Sequence, residues 1–307
     1  MLSWILSLNT FFSIYIFLIG CYISIFLKTF LLLCCALFCL YILIMRIDIY
    51  NYIIENLKLK LNFKSNNTKY SVKTIFDSII FILKNGLSWN CSIVINNIIV
   101  KTNSIYKHFV FLTNIFFFQK LIAKLNRKFY KKEMKESKYS SVDSTFIANK
   151  KCKKYGIKRN PYKSSKFGYK VSVITNQYNL PIDILFAGGN KNDLKLLLRQ
   201  LKRKVTKKYL KNQFLLADKG YRSRPVQLQL LQNRIYILTP KQNSFYPNAE
   251  YKTIYKNRVY VEHFFGKIKN YRRIAFNYER TVKNFRSFVY LSIVQLYIVG
   301  CLGHLKI

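Results

Sequence analysis

The C-terminal part of the chain carries an aromatic residue, two cations and a carboxylate at fixed spacing, Tyr255-x2-Arg258-x3-Glu262-x6-Lys269. Arg258 and Glu262 are four residues apart, so their side chains meet on one face if the segment is helical. Lys269 follows about two turns further along the same stripe. A carboxylate can bind a divalent metal ion, and flanking cations can bind phosphates. This combination is typical of a site that acts on a nucleic-acid backbone.

Two aspartates, Asp143 and Asp218, each end a predicted buried strand and form a set of three acids with Glu262. Ligands in α/β sheets bind at the carboxyl ends of strands, so we expect the three carboxylates at one sheet edge. Converging carboxylates require a cation, because like charges at short range cannot all ionise without one. Oxygen ligands select Mg²⁺ or Mn²⁺, and two such ions about 4 Å apart can support phosphoryl transfer without a protein base. His263 is expected to lie on the surface or to assist a proton transfer.

The charge balance of the chain is strongly basic. Lys and Arg number 52 against 12 Asp and Glu, a formal charge of +40. Such an excess indicates a polyanionic partner, either nucleic acid or an anionic membrane surface, and we expect nucleic acid. The seven cysteines form neither a CxxC pair nor a Cys/His zinc spacing. We interpret them as small hydrophobic residues in a reducing compartment.

Residues 1–45 form an apolar segment with a single charge, Lys28, between the runs 4–26 and 29–45. Uncharged apolar runs of this length are typical of transmembrane helices, and the lysines after Arg46 favour a cytoplasmic location for the following chain. A signal peptide fits poorly, because a basic start and a small-residue cleavage site are both missing. Membrane association through this segment and an extension without function are two interpretations that stay open.

Residues 46–130 are predicted to form a small helical domain. We predict a strand over 57–63, a helix from Val72 that is closed by Asn85-Gly86, and a helix over 104–125 with Ser104 as its N-cap. This unit is either a DNA-contacting domain of the helix-turn-helix kind or a helical lid packed on the main domain.

Residues 138–307 are predicted to form an α/β domain. The predicted strands are 139–142, 168–175, 180–186, 213–217 and 235–239, and the predicted helices are 193–201, 225–231, 257–273 and 285–299. Their order indicates a mixed sheet flanked by helices.

The sequence around the three acids resembles that of DDE transposases of bacterial insertion sequences, in the group that includes insertion sequence five. The matching motifs are Val142-Asp143-Ser144-Thr145, Ala217-Asp218-Lys219-Gly220-Tyr221 and the Tyr255–Lys269 signature. Supporting matches are Phe167-Gly168-Tyr169-Lys170, Asn190-x2-Asp193 and Lys267-Ile268-Lys269-Asn270-Tyr271-Arg272-Arg273. The resemblance is strongest over roughly 138–295. It implies an RNase H-like catalytic core in which Asp143, Asp218 and Glu262 are catalytic and bind two Mg²⁺ or Mn²⁺ ions.

The resemblance also implies how the protein meets its partners. Tyr255, Arg258 and Lys269 are expected to bind DNA near the cleaved transposon end, and we add the neighbouring cations Lys219 and Arg272 to this set. The expected partners are transposon ends and target DNA, with a homodimer assembled on the DNA. The expected location is the cytoplasm and nucleoid, with membrane association through residues 1–45 as the open alternative.

The N-terminal half departs from the family pattern. Residues 90–101 lack the charged, proline-containing loop that is usual in the family, and residues 1–45 match nothing expected there. The predicted function is metal-dependent DNA strand cleavage and strand transfer by a transposase. Two alternatives stay open, namely a catalytically inactive DNA-binding relic and a membrane-tethered basic protein with an unrelated role.

Overall fold

The computed structural model describes residues 36, 39–61, 69–149, 158–159, 167–240, 249–300 and 302. The chain divides into two compact units, Met1–Asp48 and Ile49–Ile307. In the first unit, residues 39–48 are helical and expose apolar side chains, among them Leu40, Tyr41 and Leu43. Most of the apolar segment 1–45 lies outside the described residues, so its membrane interpretation stays a prediction.

The described helices include one bent pair that resembles a membrane span. No single helix in the described ranges is long and apolar enough to cross a membrane. The helices Thr102–Asn114 and Phe117–Phe129 meet the length and composition criteria together, with a bend of 64° between them.

Helix α1, described over 39–61, replaces the strand predicted over 57–63. Within the second unit it buries Ile49, Ile53, Leu57 and Leu61, which are spaced four residues apart, whereas Leu59 is exposed. A spacing of four places these side chains on one helix face. The strand prediction is wrong over 57–61, because only Leu57 and Leu61, four residues apart, are buried and Leu59 between them is exposed. Residues 62–63 lie outside the described residues.

Helix α2 (Val72–Asn85) confirms the predicted helix and its end. The Ser71 side chain accepts a hydrogen bond of 3.1 Å from the Thr74 N–H, which satisfies a free donor at the helix start. Gly86 ends the helix at φ 70°, a left-handed conformation that suits glycine. A Cβ at this position would also lie 3.1 Å from Cβ of Arg272, so the turn packs closely against the C-terminal part of the chain.

A β-hairpin follows where the family loop was expected. Strands β1 (Ser92–Ile95) and β2 (Ile98–Lys101) pair in antiparallel fashion. Asn96 and Asn97 both adopt positive φ angles, as a two-residue turn that matches the strand twist requires. The hairpin was not predicted, although an Asn-Asn pair between two runs of Ile and Val was a usable signal.

Helices α3 (Thr102–Asn114) and α4 (Phe117–Phe129) replace the single helix predicted over 104–125. The chain breaks at Phe116, whose φ of 54° is incompatible with a continuous right-handed helix. The predicted N-cap is also wrong, because Lys101 occupies that position and Ser104 lies inside α3. The short helix α5 (Lys131–Lys135) leads into the sheet.

The central sheet contains β3 (Tyr139–Ala148), β4 (Lys158–Arg159), β5 (Phe167–Asn176), β6 (Pro181–Gly188), β7 (Gln213–Leu216) and β8 (Ile235–Leu238). The five longer strands lie in the order β6-β5-β3-β7-β8. β5 is antiparallel to β3 and β6, whereas β7 and β8 run parallel to β3. The two-residue β4 pairs with the start of β5. This mixed sheet, flanked by helices, has the RNase H-like topology that the resemblance implied.

The helices that cover the sheet are α6 (Asp193–Leu201), α7 (Lys204–Leu210), α8 (Arg224–Gln232), α9 (Ala249–Lys256), α10 (Val259–Lys269), α11 (Arg272–Ala275) and α12 (Val282–Ile298). The helix predicted over 257–273 is therefore wrong in its extent, because the chain turns at 257–258 and again at 270–271. α12 is buried over nearly its whole circumference, which is typical of a helix at the centre of a core.

A buried arginine, Arg273, joins the helical part of the chain to the α/β part. The Arg273 guanidinium donates to Glu279, with Nε at 2.9 Å from Oε1, and also to the Leu87 carbonyl oxygen at 2.6 Å. It lies 5.7 Å from the centre of the Trp89 ring and 5.3 Å from that of Phe288. One cation thus connects the turn after α2, the segment after α11 and the core helix α12.

Removal of the Arg273 charge should destabilise the fold strongly. Arg273→Met leaves Glu279 buried without its partner, so we expect the free energy of unfolding to fall by about 3–5 kcal/mol. The exposed Arg280→Met should change it by less than about 0.5 kcal/mol. Chemical denaturation measures both.

The double variant Arg273→Met/Glu279→Leu separates the lost charge pair from lost packing. It should recover part of the stability lost in Arg273→Met, because no unpaired charge is then buried. A loss below about 1 kcal/mol in Arg273→Met would contradict a connecting role for this pair.

Candidate active site

The first acid, Asp143, lies in the middle of β3 rather than at the end of a strand. β3 continues to Ala148 because it pairs with β5 along its whole length, which corrects the predicted strand end. The parallel pairing of β3 with β7 stops at Ser141, however. Asp143 therefore lies just beyond the carboxyl end of β7, at the edge where ligands bind in such sheets. Its Oδ1 accepts a hydrogen bond of 2.8 Å from the Ser144 N–H.

The second acid, Asp218, lies just after β7, which ends at Leu216, one residue earlier than predicted. Its carboxylate accepts a hydrogen bond of 2.6 Å from the Lys219 N–H and begins a short 3-10 helix, Lys219–Tyr221. Asp218, Lys219 and Gly220 are exposed, and a Cβ on Gly220 would meet no atom within 4 Å. Tyr221 is buried beneath this turn and fixes it to the sheet. Asp218 therefore lies in a turn that the buried Tyr221 anchors, and its side chain is open to solvent.

The third acid, Glu262, lies in the first turn of α10 and forms an ion pair with Arg258. The two residues meet as their four-residue spacing predicted. Glu262 is about half exposed and Arg258 is more buried. This ion pair places the Arg258 guanidinium next to Glu262, the third acid.

Tyr255 ties α9 to the strand that carries the second acid. Its hydroxyl donates a hydrogen bond of 3.2 Å to the carbonyl oxygen of Ala217, the residue before Asp218. The sequence assigned Tyr255 to DNA binding and gave no sign of this contact. The hydroxyl positions the backbone next to Asp218, and DNA binding by Tyr255 stays a prediction.

The three acids share one electrostatic environment. The pKa of Asp143 is raised from its ordinary value of 3.8 to about 6, mainly by burial and to a smaller extent by the charges of Glu262 and Asp218. The Ser144 N–H and the Arg258 guanidinium act in the opposite direction. Burial alone would lower the pKa of Arg258, but Tyr255 and the three acids raise it above its ordinary value. The charges of Asp218, Glu262 and Arg258 therefore all act on Asp143.

The donor set fits a hard divalent cation in type and charge, although the site is open. Three carboxylates at one edge offer only oxygen ligands, which suit Mg²⁺ or Mn²⁺. In the ranges that the structure describes, no three acidic, histidine or cysteine side chains lie close enough together to share a metal ion. Glu262 is held by Arg258, so Glu262 would have to leave this pair before it could bind an ion together with Asp143.

The remaining predicted residues lie on or beside the elements that carry the second and third acids. Lys219 follows Asp218, Lys269 ends α10, and Arg272 begins α11, and all three are exposed. His263 is exposed and lies against the Tyr260 ring. This position agrees with the surface interpretation of His263 and leaves its part in proton transfer untested.

A second polar cluster lies behind Asp143. Lys170 Nζ is 2.9 Å from Asp193 Oδ1, and the Ser144 hydroxyl donates to the same oxygen. Lys170 and Asp193 come from two of the three supporting motifs, although no contact between them was predicted. The cluster fixes the N-terminus of α6 next to the strand that carries the first acid.

Residues 136–296, just over half of the chain, match the transposase DDE domain family. The chain belongs to this family. The matched range contains all three acids and the whole Tyr255–Lys269 signature. It therefore supports a transposase of the polynucleotidyl-transferase type, as the resemblance implied.

Comparisons with other proteins add little to the family match. No curated protein matches the sequence. Among solved structures, the piggyBac transposase synaptic complex with hairpin DNA is similar at 10% identity over 81% of this chain and 72% of that one, with a TM-score of 0.43. A pre-cleavage Mos1 transpososome is similar at 14% identity over 62% and 61%, with a TM-score of 0.28. At these TM-scores the likeness supports no argument about the site.

The raised pKa of Asp143 predicts a pH dependence of stability without divalent ions. The folded state binds the Asp143 proton more tightly than the unfolded state, so stability is lost as the pH rises from about 4 to about 6. The loss attributable to this carboxyl should reach up to about 3 kcal/mol. Asp143→Asn should lack this part of the pH dependence, and Mg²⁺ should stabilise the wild type more at pH 7 than at pH 5.

Thermal and chemical unfolding across this pH range measure the difference. The exposed Asp48→Asn serves as the control and should retain the wild-type profile. Identical profiles for wild type and Asp143→Asn would show that Asp143 is not buried among like charges.

Proposed function

We propose that the protein is an active DDE transposase that cleaves DNA at the ends of an insertion sequence and joins the freed end to target DNA. The observation that supports this most is the shared electrostatic environment of Asp143, Asp218 and Glu262. These acids come from a central strand, the turn after its parallel neighbour, and a helix beside them. Divalent cations bound to these carboxylates would offset their mutual repulsion in the working enzyme.

The three acids would hold two Mg²⁺ or Mn²⁺ ions. Such ions, when bound, make a hydroxyl more nucleophilic and stabilise the leaving oxygen of an in-line displacement. The firm turn at Asp218 and the Tyr255 contact to Ala217 keep the second acid in place. Arg258 keeps Glu262 at the same edge until DNA or metal ions compete for the pair.

The reaction would proceed as two displacements at phosphorus. In the first, water attacks the phosphodiester at the transposon end, and the 3′ oxygen leaves and is protonated. In the second, this 3′ hydroxyl attacks a phosphodiester of the target and forms a new bond to the 5′ side, while the target's own 3′ oxygen leaves. Neither step requires an oxidant, a reductant or a nucleotide cofactor.

The cations at the edge would hold the transposon end. The Arg258 guanidinium can contact a phosphate through two donors, and the exposed Lys219, Lys269 and Arg272 can add single contacts. The Tyr255 ring can stack on an unpaired base. A homodimer on the DNA follows from the need to join two ends, and such an enzyme acts in the cytoplasm, at the nucleoid.

An inactive DNA-binding relic is the competing function. The open arrangement of the acids favours it, because the described residues contain no ready metal cluster. Cleavage of DNA by the wild-type protein separates the two functions. The DNA that borders the coding sequence supplies the substrate, since inverted repeats there would be the transposon ends.

Asp218→Asn should abolish strand cleavage and leave DNA binding intact. The amide removes a metal ligand while it reduces the repulsion of phosphates. Even residues that only support metal ligands typically contribute 10–100-fold, so we expect a loss of cleavage of more than about 100-fold.

Nicking of a labelled transposon end in the presence of Mn²⁺ measures this loss, and the change in fluorescence anisotropy of the same DNA measures binding. Asp48→Asn, an exposed aspartate in α1, is the matched control and should cleave normally. Cleavage retained by Asp218→Asn would contradict the assignment. A wild-type protein that binds the end but never nicks it would favour the relic.

A further inference from the structure

A strip of exposed cations runs along α6 and α7. Between residues 191 and 211 the chain carries nine Lys and Arg residues and one acid, Asp193. All nine cations are exposed. We call them the α6–α7 strip: Lys191, Lys195, Arg199, Lys202, Arg203, Lys204, Lys207, Lys208 and Lys211. None of them takes part in the proposed chemistry.

The charge of the α6–α7 strip is almost wholly uncompensated. The acid within the segment, Asp193, is already paired with Lys170 on β5. The Asp183 carboxylate of β6 is paired with Arg203, which is one of the nine. In the part of the chain that the structure describes, no ion pair involves any of the other eight. The strip therefore presents a strong positive field to solvent.

The spacing of the cations suits an extended polyanion. Lys195, Arg199 and Lys202 are four and three residues apart and lie on one face of α6, while Leu196 and Leu197 are buried on the other face. α6 has nine residues and is about 13 Å long. At about 3.4 Å of helix axis per phosphate of one strand, this length spans about four base pairs.

The strip begins at the catalytic edge. Asp193, the first residue of α6, accepts a hydrogen bond from Ser144, the neighbour of Asp143 in β3. Consecutive side chains of a strand point to opposite faces of the sheet. α6 thus packs on the face of the sheet to which Ser144 points. Arg258 and Glu262 act on Asp143, whose side chain points to the opposite face. The strip and the Tyr255–Lys269 signature lie on opposite sides of the first acid.

We propose that the α6–α7 strip binds the phosphates of the DNA that flanks the transposon, beyond the phosphate that is cleaved. This inference rests on the proposed function. The signature residues hold the transposon end on one side of the acids, and a duplex that passes the acids continues on the other side. The strip is a cationic surface on that other side.

A variant of α6 tests the proposal through binding alone. Lys195→Gln/Arg199→Gln/Lys202→Gln removes three charges and retains residues that favour helix. Lys58→Gln/Lys60→Gln/Lys84→Gln is the matched control, because it removes three exposed charges from α1 and α2. Two duplexes are compared without divalent ions. One carries the transposon end with a flank of about 10 base pairs, one helical turn, and the other is truncated at the cleavage site.

We expect the α6 variant to lose salt-dependent affinity for the flanked duplex only. Each lost phosphate contact lowers the slope of log K against log salt by about 0.9, so three contacts lower it by about 2.7. The truncated duplex should show an unchanged slope, and the control should affect both duplexes equally. Equal losses of affinity on both duplexes, or no loss on either, would overturn the proposal. A wild-type protein that binds the flanked and truncated duplexes with the same affinity would also overturn it.

Joining of a pre-cleaved end to target DNA distinguishes flank from target. The α6 variant should join at the wild-type rate, and a defect confined to joining would overturn the flank assignment in favour of target binding. The comparison of binding to the two duplexes is independent of catalysis, since it is made without metal ions. If the α6 variant loses affinity only for the flanked duplex and the wild-type protein cleaves no DNA, the role of the strip is supported and the proposed transposase activity is contradicted.

Discussion

The structure depends on the placement of like charges at one edge of a sheet. Asp143 is partly buried, and the charges of Asp218 and Glu262 raise its pKa further. Such an arrangement opposes folding, so the surrounding protein has to enforce it. The strand pairing of β3 with β5 fixes Asp143, and the buried Tyr221 fixes the turn at Asp218. In an active transposase, binding of divalent cations and of a nucleic-acid backbone would offset the repulsion between these carboxylates.

Packing at a distance supports the same edge. Arg273 is buried with Glu279 and donates to the Leu87 carbonyl oxygen, so it holds the turn after α2 against the segment after α11. The N-terminal helices are thereby part of the support for α11 and for the segment that follows α10, the helix that carries Glu262 and Lys269. This agrees with the division of the chain, in which everything from Ile49 onward forms one compact unit. The lid interpretation of the helical part fits this packing, and a DNA contact by the same helices stays a prediction.

The sequence predicted the elements of the catalytic half well, because motifs and periodicity agreed there. Helix α6 and the strands β5 and β6 follow the predicted order, and the meeting of Arg258 with Glu262 follows from helix spacing alone. The errors arose where tertiary pairing overrides local pattern. Asp143 lies inside a long strand, because β5 extends β3 beyond the end of β7. The Tyr255 contact to Ala217 and the break at Phe116 depend on distant packing and leave no local signal.

In the function proposed for this basic chain, three of its few acids would carry out the chemistry and its exposed cations would bind DNA. The central claim is that Asp143, Asp218 and Glu262 gather around shared divalent ions once DNA is bound. A crystal structure with a transposon end and Mn²⁺ tests it most directly, through the anomalous signal of manganese. We expect manganese within about 2.0–2.3 Å of an oxygen from each of the three acids, with the Arg258–Glu262 pair opened. Manganese bound elsewhere, with Glu262 still paired to Arg258, would contradict the claim.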